Sequence, residues 1–410
     1  MGFHPSPALA LLLDFVSRTR FNSTEANCDQ SRCLLSLQRL AFGLRGMIDM
    51  GTQVVAETQP RTEKKKLVRR SAPDRSQRIR HLVQGLFVAL NAWIGVQFYF
   101  WVRYFEHGGH AIYVSRPAGV EGWLPIAGLM NSKLFLTTGH IPAIHPAAMF
   151  LFLAFVLISL LVKKAFCSWL CPVGTLSEAL WKLGGKIFDR NFHLPKWVDI
   201  PLRGVKYLLL GFFVFMVGAM SAEVLQGFMY TPYGLIADVK MLNFFRDMGT
   251  TAAIVIVLLV FGSMLVKNFW CRYLCPYGAL MGLVSLFSPV KIRRDSGACI
   301  DCGKCARACP AALPVDRLVQ IRSVECAACM ECIAVCPAEN ALQFSLAPKR
   351  GAALADRWLR RAVGPVVVAG ILASVFFGAV LIAKATNHWQ TNLPRHVYME
   401  FVPNANEVTH

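Results

Sequence analysis

The amino-acid sequence predicts an integral membrane α-helical protein of about five transmembrane helices, with a small cysteine-rich α+β domain inserted before the last of them. Three observations predict it. Hydrophobic residues make up 55% of the 410 residues and charged residues only 16%, with a mean hydropathy of +0.45, too little polar surface for a water-soluble globule. Five long apolar runs carry no charged residue. The third observation is that 12 of the 14 cysteines fall into groups at ligand-like spacing. The net charge of +19 does not point to nucleic acid, because the basic residues sit in the loops between apolar runs, where they orient a membrane protein.

Residues 1–80 read as a leader, expected to be disordered and to turn basic and cytoplasmic from residue 61. Residues 1–46 hold no spanning run, and Cys28 and Cys33 belong to no ligand group; Met47 or Met50 is the expected start. Residues 81–290 read as a four-helix membrane domain, with spans at Leu82–Val102, Ala147–Val162, Tyr207–Ala222 and Thr251–Val266. The fifth span, Val363–Ala383, falls in the segment 348–384, and 385–410 form an exported tail. Orientation follows from the loops. The stretch 61–80 is dense in Arg and Lys, loop 103–145 has only Arg103, Arg116 and Lys133, loop 163–206 is basic again, and 267–361 is strongly basic. The alternation places the N-terminus and the cysteine-rich segment in the cytoplasm and the C-terminus outside, in a bacterial inner membrane.

An internal repeat runs through the membrane domain. The stretch from Ser159 to Leu176, with Cys167-Ser-Trp-Leu-Cys171-Pro, reappears from Ser263 to Leu280 as Cys271-Arg-Tyr-Leu-Cys275-Pro. Each copy follows an out-to-in span. On a helix, residues i and i+4 share a face, so Cys167 and Cys171 are expected to point together, as are Cys271 and Cys275, with Pro172 and Pro276 ending the helix behind them. Four such thiols could hold a further iron–sulfur or other metal centre, or work as redox-active dithiols.

Residues 291–347 carry C-x2-C-x2-C-x3-C-P twice: Cys299, Cys302, Cys305 and Cys309-Pro310, then Cys326, Cys329, Cys332 and Cys336-Pro337. This spacing wraps a [4Fe-4S] cube, the fourth cysteine of each run serving the other cube. The expected ligand sets are Cys299, Cys302, Cys305 and Cys336 for one cluster, and Cys326, Cys329, Cys332 and Cys309 for the other. A zinc ribbon has a long spacer between two pairs, and neighbours so close in sequence pair poorly as disulfides.

With these motifs together, the chain resembles the membrane-bound polyferredoxins of the NapH/NosR type over about residues 80–385. The resemblance implies an accessory electron-transfer protein of the kind that serves periplasmic nitrate and nitrous-oxide reduction. NosR-type proteins carry an exported flavin domain before the helices that residues 1–80 do not match. The related CcoG/FixG-type proteins, tied to copper oxidase assembly, carry an exported immunoglobulin-like domain where this sequence has its short tail.

No histidine lies within the apolar runs, no C-x-x-C-H occurs, and no glycine-rich nucleotide fingerprint follows a strand pattern. Haem and NADH are therefore not expected. Gln84 and Asn91 on one face of the first span, with Glu223 and Asp238 near the exported side, are candidates for a quinone or proton site. His107, His110, His140 and His145 share the first exported loop and are candidates for a metal. The leading reading is a membrane-bound iron–sulfur protein that moves electrons between the membrane, through quinone or a partner protein, and cytoplasmic clusters. A quinol dehydrogenase or copper reductase, and a redox-sensing regulatory or assembly protein, are the alternatives.

The loop charges make a prediction. A reporter active only in the cytoplasm works when fused after Arg190 or Lys349, and one active only outside works after Arg395. The reverse result at Arg395 would remove the fifth span.

Overall fold

The computed structural model describes residues 68–70, 74–192, 194–346 and 362–408. The expectations for residues 1–46, for most of the basic stretch before the first helix, and for the linker 347–361 lie outside the described residues.

Each of the five apolar runs forms a helix. The first, α1, covers Ser76–Glu106. After it come α2 (Pro125–Thr138) and α3 (Pro146–Leu161), a helical hairpin. The remaining long elements are α4 (Pro172–Ile187), α5 (Lys196–Ala219), α6 (Thr250–Leu265), α7 (Pro276–Val284) and α8 (Pro365–Ala385). Proline stands at the first turn of α2, α3, α4, α7 and α8, the one helical position that does not need its missing N–H.

By length and composition, α1, α5 and α8 can cross a membrane, and a fourth span exists if α6 is counted with the helix Ala237–Arg246, to which it is bent by 80°. The 16-residue helix α3 is apolar but shorter. The protein is thus mostly helical with three to four candidate spans, fewer than the five read from the runs. The difference lies in length, because α3 and α6 stop after 16 residues, about 24 Å at a rise of about 1.5 Å per residue.

Between α7 and α8 the chain makes a two-stranded antiparallel sheet, β1 (Val290–Arg294) with β2 (Leu342–Leu346), in the register Ile292 opposite Phe344. Val290, Ile292, Leu342 and Phe344 are buried, the period-two face of a strand pair. The sheet closes the ends of the segment that holds both cysteine runs. One buried core joins this segment to the helices: Phe155, Ile158, Phe166 and Trp169 pack in the same cluster as Ile292, Cys309, Cys326 and Leu372.

The tail is built in. Tyr398, on the short helix Arg395–Phe401, packs its ring 4.9 Å from that of Trp101, and Thr391 is buried.

Close helix contacts depend on particular glycines. A Cβ on Gly184 would stand 2.0 Å from the Met264 carbonyl oxygen, where α4 meets α6, whereas one on Gly211 would meet nothing within 4 Å. Gly184→Ala therefore costs about 1–3 kcal/mol of stability through overpacking, read as a lower melting midpoint in detergent, while Gly211→Ala serves as the control. Equal midpoints for the two variants would show that α4 and α6 do not need this approach.

Candidate functional site

The two cysteine runs wind in the same way. Asp301 and Gly303 flank Cys302 with φ of 54° and 67°, and Ala328 and Met330 flank Cys329 with φ of 52° and 58°. Left-handed backbone is costly for residues other than glycine. Its placement at matching positions coils each loop around its own thiols. Each loop then enters a one-turn helix, Lys304–Ala308 or Glu331–Ala334. Cys309, on extended backbone before Pro310, leaves its own run. It lines one chamber with Cys326, Cys329 and Cys332, while Cys336 joins Cys299, Cys302 and Cys305 around a second recess. Each recess thus gathers three cysteines of one run and the fourth of the other.

The twelve described cysteines are all free thiols. Burial pushes the Cys305 thiol up to about 11, with Asp316, Cys299 and Cys336 adding to the effect. Burial likewise raises Cys332, with Cys329, Cys309 and Cys326 adding. Both shifts penalise the thiolate forms of Cys305 and Cys332 when no cation stands near. A cationic iron–sulfur core with four soft donors removes that penalty, so both donor sets fit a cluster.

The C-x3-C pairs are built differently from the sequence expectation. Cys167 lies in the short helix Ala165–Trp169, but Cys171 is outside it, on extended backbone (φ −64°, ψ 118°) as the N-cap of α4. Cys275 is the N-cap of α7, and its Sγ accepts the Gly278 N–H at 3.2 Å. The prolines do not merely end a helix; they open the next one, and each pair straddles the break. A thiol at a helix N-terminus is a place where thiolate is favoured. Gly174 is required here, since a Cβ would fall 2.1 Å from the Cys167 carbonyl oxygen. Burial pushes Cys167 up to about 12 and Cys171 to about 11, and Cys275 adds to both.

All four of these cysteines line one cavity of about 560 Å³, mostly apolar, which reaches away from them past Phe87, Asn91 and Trp123 to Arg116. Cys167, Cys271 and Lys164 also line the chamber of Cys309, Cys326, Cys329 and Cys332. The loop that carries Cys326 is held on the helix break. Ser168 Oγ donates to the Ala327 carbonyl and Trp169 Nε1 to Ala328 O at 3.1 Å. Lys163 Nζ donates to Ser323 O at 3.1 Å, and Lys206 Nζ to Glu325 Oε1 at 2.6 Å.

The other candidates separate. Asn91 lines the cavity and accepts the Trp123 indole N–H at 3.0 Å. Gln84 does not line it; its amide donates to Ser168 O at 2.9 Å and to Glu178 at 3.1 Å. Glu223 is exposed in the first turn of Ala222–Met229. Asp238 is buried and paired with Arg116 at 2.7 Å. His107, His110 and His140 are exposed and form no metal-ligating group among the described residues, while His145 is fully buried. His81, Glu178 and Glu331 approach one another, but Arg80 and Lys182 already pair with both carboxylates.

The sequence reading missed the buried charges. On the side of Arg116, the chain joins Glu121, His145, Asp238 and Thr391 in one network. Glu121 accepts from Arg116 at 2.9 Å and from Thr391 at 2.8 Å, and His145 Nδ1 lies 3.3 Å away. His145 Nε2 meets Gly234 O at 2.9 Å. Burial disfavours the charged ring, but Glu121 and then Asp238 raise the His145 imidazole above its ordinary value, against Arg116. The signal available in the sequence was weak: Arg116, Glu121 and His145 lie in one loop, but nothing local joins them to Asp238 or Thr391.

Burial alone raises the Glu121 carboxyl, but Arg116 first, then His145 and Thr391, hold it down to about 2. A lowered carboxyl contributes stability above its ordinary value near 4.5, and that contribution is lost as pH falls toward 2. Glu121→Gln costs about 3–5 kcal/mol, since it leaves His145 buried without its carboxylate and Arg116 with Asp238 alone. Melting curves from pH 7 to pH 3 check this: the wild type loses stability below about pH 4.5, and the variant starts lower and changes less. Parallel curves would mean the network is not held by charge.

A family model described as a 4Fe-4S binding domain matches residues 144–191 and again 248–295, the two copies of the repeat. A 4Fe-4S dicluster domain model matches residues 291–337. Among curated proteins, the "Putative electron transport protein YccM" of Escherichia coli (strain K12) is 50% identical over 335 residues, covering 81% of this chain and 91% of that protein. The ferredoxin-type protein NapH of the same organism is 27% identical over 263 residues, 62% of this chain and 82% of NapH. The regulatory protein NosR of Pseudomonas aeruginosa is 32% identical over 195 residues, 45% of this chain and 25% of NosR. No solved structure matches the chain.

Proposed function

The chain belongs to the family of membrane-associated 4Fe-4S electron-transport proteins that includes YccM, and within it we propose that it carries single electrons between the membrane interior and two cytoplasmic clusters by way of the C-x3-C-P cysteines. Bound clusters would supply one-electron couples at each set of four thiolates. Cys299, Cys302, Cys305 and Cys336 would hold one, and Cys326, Cys329, Cys332 and Cys309 the other. Cys167, Cys171, Cys271 and Cys275 would hold a further iron–sulfur or metal centre. In this reading α3 and α6 complete a set of five spans, with clusters and N-terminus cytoplasmic and the tail periplasmic.

The observation that carries the proposal is a junction. Cys167, Cys271 and Lys164 line both the membrane-side cavity and the chamber of the second cysteine set. The chain's own work is to keep this junction dry and short. Trp169, fully buried, fills the space behind the Cys326 loop and pins its backbone.

One observation favours quinol as the membrane reactant. A mostly apolar cavity of about 560 Å³ ends on the C-x3-C thiols and has Asn91, Trp123 and Arg116 as polar groups along its walls, the composition of a site for a hydrophobic ring with polar edges. Oxidising a quinol releases two electrons and two protons, and the electrons would leave singly through the cysteines.

Anaerobically purified protein then holds on the order of eight iron and eight sulfide for the two cubes, plus the metal of the third centre. Cys329→Ala removes mainly one cube. Cys171→Ser or Cys275→Ser leaves both cubes in the spectrum and stops their reduction or oxidation by the membrane partner. Electron transfer at the original rate in these variants would overturn the proposal, and zinc in place of iron would overturn the cluster assignment.

A further inference from the structure

We propose that Lys164 is a positioning residue that fixes the charge, and through it the reduction potential, of the centre held by Cys167, Cys171, Cys271 and Cys275. The proposal rests on the reading that these four thiolates hold a metal centre.

Lys164 is only 4% exposed. Its ammonium donates no hydrogen bond among the described residues, unlike its neighbours: Lys163 reaches Ser323 O and Lys206 reaches both oxygens of Glu325. A buried ammonium without a partner costs several kcal/mol, so an anion must stand beside it. The carboxylate that acts on it belongs to Glu325, already doubly bonded to Lys206. The remaining counter-charge is the cysteine set. Lys164 Nζ and Cys275 Sγ each lie 3.6 Å from the point where a Cβ on Gly278 would stand, so both border the same small space beside that glycine. Cys167 and Cys271 complete the wall that Lys164 shares with both cavities.

The repeat makes this charge one-sided. Lys163 and Lys267 occupy equivalent positions in the two copies, but Lys164 corresponds to Asn268. A cluster with four thiolate ligands carries net negative charge, and more of it when reduced. A fixed positive charge at short range in a low dielectric therefore stabilises the reduced form more than the oxidised one. Lys206 and Glu325 form a neutral pair and leave that balance to Lys164.

The test is a redox titration of the full-length protein, purified anaerobically in detergent and followed by electron paramagnetic resonance. Lys164→Gln keeps the iron content and lowers the reduction equilibrium constant of the repeat-cysteine centre at least tenfold, about 59 mV for a one-electron couple. The cluster of Cys299, Cys302, Cys305 and Cys336 titrates where it did, and Lys164→Arg restores the first potential. If Lys164→Gln loses the metal, the potential is read on Lys164→Arg, which keeps the charge: an unshifted potential there supports the proposal and a shifted one overturns it. An unchanged potential in Lys164→Gln with full metal content would overturn it, as would metal loss in both variants. A wild-type metal content no greater than the roughly eight iron of the two cubes would show instead that the centre itself is absent, which removes the underlying reading and this proposal with it.

Discussion

The rest of the molecule depends on how the loop from Ser323 to Cys329 is held against the break after α3. Four side chains, from α1, the turn after α3 and the short helix Ala165–Trp169, grip its backbone: Lys163 at Ser323, Ser168 at Ala327, Trp169 at Ala328 and Gln77 at Cys329. Buried carbonyls must find donors, and here the donors come from the helical part of the chain rather than from the cysteine-rich segment. The second cysteine set therefore cannot shift against the helices without losing several hydrogen bonds at once. Electron transfer over a fixed short path needs this rigidity. It also explains why Cys309, Cys326 and Cys332 share one core with Phe155 and Trp169, where a detachable ferredoxin would have a core of its own.

The cysteine spacing made legible which cysteines share each recess, including the exchange of Cys309 and Cys336, because the motif constrains a short loop so tightly. Hydropathy located all five long helices to within a few residues at most ends, apart from α1 and α5, which begin earlier in polar sequence. Three features were not legible. The hairpin helix α2 lies in a mixed sequence with no clear period. The helix break inside each C-x3-C pair looked like continuous helix, because alternation alone cannot locate an extended residue. The convergence of Asp238 on Arg116, Glu121 and His145 depends on a contact across 122 residues, for which a single sequence carries no local signal.

Those buried charges follow one rule. Arg80 answers Glu178 and Glu331, Arg116 answers Glu121 and Asp238, and Lys206 answers Glu325. Desolvation makes each charge expensive unless it is paired, so these networks fix how the segments meet more than they add net stability. Arg80 ties α1 to α4 and to the helix that bears Cys332. The Arg116 network ties the first loop to the turn before α3 and, through Thr391, to the tail. Charge pairing thus closes both ends of the helical body, while apolar contact fills the middle.

The spacing of the repeat cysteines has a structural cause that links it to the proline. In each copy the second cysteine closes a wide turn: Cys171 N–H donates to Phe166 O at 2.9 Å, and Cys275 N–H to Trp270 O at 3.1 Å. Each of these bonds spans five residues rather than the four of a regular helix, and in the second copy Trp270–Leu274 is a π-turn. The extra residue throws the second cysteine off the helical face and onto extended backbone, from which Pro172 or Pro276 starts a new helix in a new direction. With two intervening residues the wide turn would not close, and without the proline the helix would run on and carry the second thiol away from the helix N-terminus, where Cys275 Sγ accepts the Gly278 N–H. Three intervening residues and a proline are therefore one device, and using it twice turns two membrane-side helix ends toward a single set of four thiols.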